Sequence, residues 1–207
     1  MLKNRKNRKI TKQDSFREGC NARAGIPFGL MRMHKDWKLQ ATVLHILRIF
    51  GIIQYVVSEC VDDYTGVKIT DSEEETADYA ALIGQTLGPG CFIALDGDLG
   101  AGKTVFVRGL AQGLGVREHI VSPTFTLLRE YDSGRLSLYH FDIYRLGGAE
   151  GLEDTGFYEL AEADGVCVCE WAGLATEALP ANRMEVRIAR MEENSRRIEI
   201  RHIKGSV

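Results

Sequence analysis

A single glycine-rich stretch constrains the fold of this chain more than any other part of its sequence. Residues 97–104, Gly-Asp-Leu-Gly-Ala-Gly-Lys-Thr, match the pattern G-x-x-x-x-G-K-[ST] of a phosphate-binding loop. The apolar residues 91–95 before it predict a buried strand, and residues 105–114 after it predict a helix. A preceding strand and a following helix are the context that this loop requires, so we predict an α/β fold.

The residue types in the loop suit the binding of a nucleoside triphosphate. Gly97, Gly100 and Gly102 permit tight turns that aim backbone N–H groups at the phosphates. The N-terminus of the following helix adds unpaired donors and the positive end of its dipole. Lys103 can reach the β- and γ-phosphates, and the Thr104 hydroxyl can coordinate Mg²⁺. The alternative is a glycine-rich turn without a ligand, which the complete match in this context disfavours.

The rest of the pattern predicts further strands, helices and two antiparallel hairpins. Residues 67–70 predict an edge strand, and Asp71 or Ser72 is expected to cap the next helix. The remaining predicted elements are a helix over 73–87, a hairpin of 127–131 and 136–141, a helix over 152–163, a strand over 165–171 and a hairpin of 184–190 and 196–203. Cys167 and Cys169 alternate with valines, which indicates buried thiols on one face of a strand.

Two of these strands end in a carboxylate, Asp142 and Glu170. Because ligands bind at the carboxyl edge of open parallel sheets, we expect both carboxylates to converge on the phosphate loop. An aspartate in this position usually binds Mg²⁺ or its water. Trp171, directly after Glu170, could stack on a base or cover the core. We expect His140 to be structural.

Three hydroxyl groups follow the helix after the loop, on Ser122, Thr124 and Thr126. This region often senses the γ-phosphate and Mg²⁺ in nucleotide hydrolases. A polar turn that leads into a strand would produce the same pattern. The residues alone leave both interpretations open.

Charge divides the chain into two parts. Residues 1–48 contain 12 Lys and Arg and 3 Asp and Glu, whereas the remaining residues contain 14 and 26. We therefore predict a basic N-terminal extension, residues 1–63, that is poorly ordered or forms a short helix, followed by a folded domain, residues 64–207. The functional alternative for the extension is a nucleic-acid-binding arm. The apolar residues 43–57 are fewer than the roughly 20 that a membrane span needs, so we expect no membrane segment. The five cysteines match no zinc-site spacing and are typical of small buried thiols in a reducing cytosol, so we expect a cytoplasmic protein.

Four motifs in this order resemble one known family. They are residues 97–104, Ser-Pro-Thr-Phe-Thr-Leu at 122–127, His-Phe-Asp-Ile-Tyr-Arg-Leu at 140–146 and Glu-Trp at 170–171. Together they are similar to the bacterial TsaE (YjeE) family, the ATPase component of tRNA threonylcarbamoyladenosine synthesis, over about residues 67–203. The resemblance implies a P-loop NTPase fold, with a central, mostly parallel sheet flanked by helices and added antiparallel hairpins.

The resemblance also implies an activity and partners. Members of the family bind ATP with Mg²⁺ and hydrolyse it weakly. They act with the TsaB and TsaD proteins, which modify the adenosine beside the anticodon in tRNAs that read codons beginning with A. TsaD carries the transfer chemistry, and the ATPase supports turnover of the complex. Contact with tRNA is therefore expected to be indirect.

Family roles transfer to matching residues of this chain. Lys103 resembles the phosphate-binding lysine, Thr104 a Mg²⁺ ligand, Glu170 the second metal-site residue and Asp142 a functionally required aspartate. Thr76 resembles a threonine that contacts the nucleotide at the start of the first helix, and residues 122–127 a mobile switch segment. We expect catalytic roles for Lys103, Asp142 and Glu170, metal coordination by Thr104 and Glu170, and nucleotide binding by Thr76, Gly100, Ala101, Gly102, Lys103, Thr104, Val105 and Trp171.

This chain departs from the family at two points. Val105 stands where many relatives have a second threonine. Family members generally lack an N-terminal extension of some 60 residues.

Three other functions share some of these features. A small-molecule kinase usually has a lid with several arginines, whereas the stretch after Asp142 offers Arg145 alone. A GTP-binding switch usually carries [NT]KxD after the loop, but residues 11–14 are the only such string and lie upstream. In a binder that functions through its basic tail, deletion of residues 1–48 would abolish activity.

Overall fold

A computed structural model describes residues 64–192 and 194–205 of the 207-residue chain. The predictions made for residues 1–63 lie outside the described residues. No helix in the part of the chain that the structure describes has the length and apolar character needed to cross a membrane.

The described residues form a sheet of seven strands, with the helices in the connections between strands. The strands are β1 (Gly66–Thr70), β2 (Cys91–Asp96), β3 (Leu128–Tyr131), β4 (Leu138–Asp142), β5 (Val166–Glu170), β6 (Arg183–Arg190) and β7 (Arg196–Ile203). The α-helices are α1 (Glu73–Thr86), α2 (Lys103–Leu114) and α3 (Phe157–Ala161), and 3-10 segments cover Glu153–Thr155 and Ala172–Ala178.

The sheet has a parallel centre and antiparallel edges. Its strand order is β1-β7-β6-β2-β5-β4-β3. The central strands β6, β2, β5 and β4 are parallel, while β7 pairs antiparallel with β6 and β1, and β3 with β4. The predicted α/β class, both hairpins and the edge strand are confirmed. The parallel centre places the carboxyl ends of β2, β4 and β5 at one edge, where ligands bind in open sheets.

Alternating residues of the central strands build a core on each face of the sheet. On one face, Ile93 and Leu95 pack with residues of α1 and α2 such as Ile83 and Leu110. On the other face, Phe92 and Phe141 contact the Phe157 ring of α3, with ring centroids 5.9 and 5.2 Å apart. Cys167 and Cys169 share this second face, as their alternation predicted. A strand buried on both faces explains why residues 91–95 are uniformly apolar.

Helix α1 begins with a side-chain cap, and Ser72 provides it. The Ser72 hydroxyl accepts a hydrogen bond from the Glu75 backbone N–H at 3.0 Å, and Glu75 Oε2 accepts one from the Asp71 N–H at 2.9 Å. This reciprocal pair is a capping box, which resolves the two cap candidates in favour of Ser72. The cap fixes the start of α1 beside β1 and β7.

The predicted continuous helix over residues 152–163 is wrong. The chain forms a 3-10 turn at Glu153–Thr155 and a separate five-residue helix, α3. Gly156 separates them in a left-handed conformation, with φ of 71°. Such a conformation ends a helix and is accessible to glycine at little cost, so the apolar spacing continues across a break in the backbone.

Candidate nucleotide site

The phosphate-loop residues lie between β2 and α2 at the carboxyl edge of the sheet. Gly97, Gly100 and Gly102 all have positive φ, at 154°, 75° and 106°, which explains the need for glycine there. Helix α2 starts at Lys103, and its N-cap, Gly102, supplies no side-chain hydrogen bond. The first N–H groups of α2 are therefore left for an anion, as expected for a phosphate site.

The Lys103 side chain lies within the loop that it is expected to serve. Its Nζ donates to the carbonyl oxygens of Gly97 at 2.6 Å and Asp98 at 3.1 Å, and lies 3.7 Å from the centre of the Trp171 ring. Burial lowers the pKa of Lys103 below its ordinary value, opposed by the negative charges of the surrounding carboxylates. These carboxylates are Glu170, Asp142, Asp96 and Asp98.

Thr104 and Glu170 meet beside this lysine. The Thr104 hydroxyl donates to Glu170 Oε1 at 3.1 Å, and the His140 Nε2 lies 2.9 Å from the same oxygen. A carboxylate oxygen accepts hydrogen bonds, so the donor in this contact is the His140 Nε2–H. His140 Nδ1 is buried and has no partner among the described residues. We expected a structural role for His140, and the structure places its ring in contact with Glu170, the residue predicted to bind the metal.

Asp142 lies beside Glu170 in the register of β4 and β5, so the two carboxylates converge as predicted. Its Oδ2 accepts from the hydroxyls of Thr124 at 2.5 Å and Ser122 at 3.3 Å, and its Oδ1 from the Tyr144 N–H at 3.1 Å. Two of the three hydroxyls in the predicted switch segment therefore bind this carboxylate. The Thr126 hydroxyl instead faces the Pro123 carbonyl at 3.5 Å.

The switch segment is exposed between these contacts and strained at its end. Phe125 is 84% exposed, with the Arg145 guanidinium 5.0 Å from the centre of its ring. Leu127, which closes the segment, has φ of 65°. Left-handed backbone at a residue other than glycine costs free energy and is concentrated in switch regions and active sites.

Trp171 has the same unusual backbone, with φ of 64°, directly after Glu170. Its ring packs against the Tyr144 ring, with centroids 4.8 Å apart, and against the second core cluster. The ring thus covers part of the second core cluster and also contacts the Lys103 side chain. Stacking on a base stays a prediction.

Thr76 is fully buried near the start of α1. Its hydroxyl is hydrogen-bonded to the Thr70 hydroxyl at 2.7 Å and to the Ser72 carbonyl at 2.9 Å. These bonds tie α1 to β1. A nucleotide contact by Thr76 stays a prediction, as does one by the half-buried Val105 in the first turn of α2.

The oxygen atoms available for a metal near the loop suit Mg²⁺, which is usually bound together with substrate phosphates rather than by protein ligands alone. Residues 64–192 and 194–205 contain no group of three or more His, Cys, Asp or Glu arranged to bind a metal ion. The Thr104 hydroxyl and the Glu170 carboxylate offer two hard oxygen ligands side by side. Mg²⁺ is usually bound by one or two such groups together with substrate phosphates and water, so these residues fit.

Sequence reasoning missed Arg196 as part of this region. The side chain is buried at the start of β7 and lies against Gly102 of the loop. Arg196 is more than 90 residues from the loop in sequence, and only the strand order brings β7 near it. The one signal in the sequence is that Arg196 stands in the same phase of the alternating strand as the apolar Ile198 and Ile200.

Comparisons with known proteins agree with this geometry. The family model described as Threonylcarbamoyl adenosine biosynthesis protein TsaE matches residues 70–198, which include all the site residues above. The tRNA threonylcarbamoyladenosine biosynthesis protein TsaE of Bacillus subtilis is 44% identical over 129 residues, 62% of this chain and 80% of the relative. The protein of that name from Treponema pallidum is 42% identical over 132 residues, 64% of this chain and 97% of the relative.

A solved structure is also similar. The crystal structure of YdiB from Bacillus subtilis superposes with a TM-score of 0.56 and 38% sequence identity. The match covers 67% of this chain and 85% of YdiB. This similarity agrees with a P-loop fold, as does the strand order of the sheet.

Proposed function

Because the chain belongs to the TsaE family, we propose that it is a cytoplasmic, ATP-binding subunit of the system that threonylcarbamoylates tRNA. Its target would be the adenosine beside the anticodon, and its partners TsaB and TsaD, so that it meets tRNA through the complex. The observation that carries the proposal is the contact of Thr104 with Glu170 beside Lys103, at the start of α2.

The residues of the loop would bind the phosphates of ATP. The uncapped N–H groups of α2 and the turns at Gly100 and Gly102 would donate to the β- and γ-phosphates. Lys103 would exchange its bonds to the carbonyls of Gly97 and Asp98 for bonds to phosphate oxygens. Charge-assisted bonds to phosphate are stronger than bonds to neutral carbonyls, which favours the exchange.

Thr104 and Glu170 would hold Mg²⁺. When bound there, Mg²⁺ would neutralise charge on the β- and γ-phosphates. The Thr104 hydroxyl and the Glu170 carboxylate would be the protein oxygens that hold it. His140 fixes the Glu170 carboxylate through its Nε2.

Asp142 would orient the attacking water. Its Oδ2 is already bound by Ser122 and Thr124, so the position of the switch segment determines how this carboxylate faces the loop. Movement of the segment on binding the γ-phosphate would therefore change the alignment of the water. Positioning of this kind supplies much of the catalysis in phosphoryl transfer.

Hydrolysis by the isolated chain would be weak because the surroundings of Lys103 are rich in negative charge. Four carboxylates surround Lys103. In related hydrolases a second cation, in some cases contributed by a partner, stabilises the transition state and raises the rate by several orders of magnitude. We propose that TsaB and TsaD raise the rate by completing the site.

Equilibrium binding of ATP with and without Mg²⁺ tests this function. We expect Lys103→Ala to abolish binding, and Thr104→Val to remove the gain in affinity that Mg²⁺ provides. Lys68→Ala is the matched control, since Lys68 lies on the edge strand β1 and pairs with Glu75. Unchanged ATP affinity in Lys103→Ala would refute the proposed site.

A further inference from the structure

Arg196 is an arginine with an unused donor beside the phosphate loop. The residue is 5% exposed at the start of β7. Its Nη1 donates to the Asn194 carbonyl at 2.6 Å and its Nη2 to Glu73 Oε1 at 3.0 Å. The third nitrogen, Nε, is buried and has no hydrogen-bond partner among the described residues. Buried donors are nearly always satisfied, so this one requires an explanation.

The location of this donor connects it to the loop. A Cβ atom added to Gly102 would lie 3.2 Å from Arg196 Nε and 3.7 Å from its Cδ. Gly102 is the N-cap of α2, the position at which the backbone N–H groups are also without a side-chain partner. Two sets of unpaired donors therefore meet at the same end of one helix.

The charge of Arg196 is also incompletely balanced. Glu73 is its only carboxylate partner among the described residues, and the Glu73 side chain is 65% exposed. An exposed carboxylate is screened by water and compensates a buried cation poorly. An anion at the N-terminus of α2 would supply both the missing acceptor and the missing negative charge.

We propose that Arg196 is a nucleotide-binding residue whose Nε–H donates to a phosphate oxygen of the nucleotide held by the loop. This inference rests on the proposed function and adds to it a cation from the C-terminal strand. Because Nη2 binds Glu73 in the first turn of α1, the same guanidinium would connect bound phosphate to the start of α1.

A merely structural role would make Arg196 a tie between α1 and β7. Three substitutions in the full chain separate the two roles. Arg196→Lys keeps the positive charge and removes Nε–H, while Glu73→Gln weakens the tie by removing its negative charge and leaves Nε–H in place. Arg197→Lys is the matched control, since Arg197 is the next residue of β7 and pairs with Glu199.

The affinities of these variants for ADP and for adenosine, measured by titration calorimetry, distinguish the two roles of Arg196. We expect Arg196→Lys to weaken ADP binding about 10-fold or more, as for loss of a hydrogen bond between charged groups, without a change for adenosine. Glu73→Gln and Arg197→Lys should stay within about threefold of the wild type, because neither touches the donor. Equal ADP affinity in Arg196→Lys and wild type would overturn the inference, as would equal losses for ADP and adenosine or an equal loss in Glu73→Gln.

Two further measurements cover the case of an unfolded variant and test the proposed function separately. If Arg196→Lys does not fold, the Nε–H resonance of Arg196 in the wild-type protein decides: it should shift on adding ADP and not on adding adenosine, and no shift with ADP would overturn the inference. ADP binding by the wild type and its loss in Lys103→Ala test the proposed function separately. If these hold while Arg196→Lys binds normally, the inference about Arg196 alone fails.

Discussion

At the scale of single residues, Glu170 shows how the site is assembled. One carboxylate oxygen receives the Thr104 hydroxyl from α2 and the His140 ring from β4. Both Glu170 and His140 are almost completely buried, so neither can exchange this contact for water. The orientation of Glu170, the proposed Mg²⁺ ligand, therefore depends on His140.

We expect two substitutions of His140 to show whether its hydrogen bond to Glu170 positions that carboxylate. His140→Leu leaves the buried Glu170 carboxylate without this donor, which should cost about 1–3 kcal/mol of folding free energy and weaken the Mg²⁺ dependence of ATP binding. His140→Gln places an amide donor at similar reach and should restore much of both. Urea unfolding and Mg²⁺ titrations measure them. Identical Mg²⁺ dependence in the Leu and Gln variants would contradict a positioning role.

At the scale of elements, the approach of α1 to α2 fixes the helix that carries the loop. A Cβ atom at Gly109 would lie 2.2 Å from the Ala77 carbonyl oxygen and 2.7 Å from the Ala80 Cβ. The two backbones thus pack without a side chain between them at this point. Because α2 begins at Lys103, its position on α1 also determines where the lysine and Thr104 stand.

A methyl group at this contact should force the helices apart. We expect Gly109→Ala to destabilise the fold by about 1–3 kcal/mol, although alanine favours a helix by about 1 kcal/mol over glycine. Gly148→Ala is the control, because the nearest atom to its added Cβ is 3.8 Å away. Denaturant midpoints of the two variants give the comparison. A Gly109→Ala protein as stable as Gly148→Ala would show that the helices are less closely packed.

The elements that local pattern determines were predictable, and the contacts that strand order determines were not. The loop, β2, α2 and both hairpins follow from motif and periodicity, and the convergence of Asp142 with Glu170 follows from the edge of a parallel sheet. The break at Gly156 was missed because apolar spacing carries no information on the sign of φ. The pairing of His140 with Glu170 depends on the register of β4 against β5, and the approach of Arg196 to Gly102 on the position of β7.

At the scale of the whole molecule, every residue that we propose for the site lies in the part of the chain that the structure describes. Both core clusters and all proposed ligands lie between Tyr64 and Ile200. Residues 49–207 contain 14 Lys and Arg and 26 Asp and Glu, so this part of the chain is acidic. Excess negative charge in this part of the chain disfavours its binding tRNA independently, which supports our proposal that tRNA is reached through partners.

We therefore expect a protein that begins at residue 64 to fold and to bind ATP within about threefold of the full chain. Both cores and the site remain in it, and RT ln 3 is less than 1 kcal/mol, within the range of a remote change. Circular dichroism establishes folding, and ATP titration gives the affinity. Loss of ATP binding by a folded protein lacking residues 1–63 would place part of the site in the extension.

If the loop around Lys103 supports hydrolysis of ATP for a partner complex, the release of phosphate must depend on this lysine and on the partners. Phosphate release from ATP, without any added acceptor, tests it for the wild type and Lys103→Ala, each alone and with TsaB and TsaD. We predict slow release by the wild type alone, a clear rise with the partners, and no release above background in the variant. Rapid release that the partners do not change, or release that persists in Lys103→Ala, would contradict it.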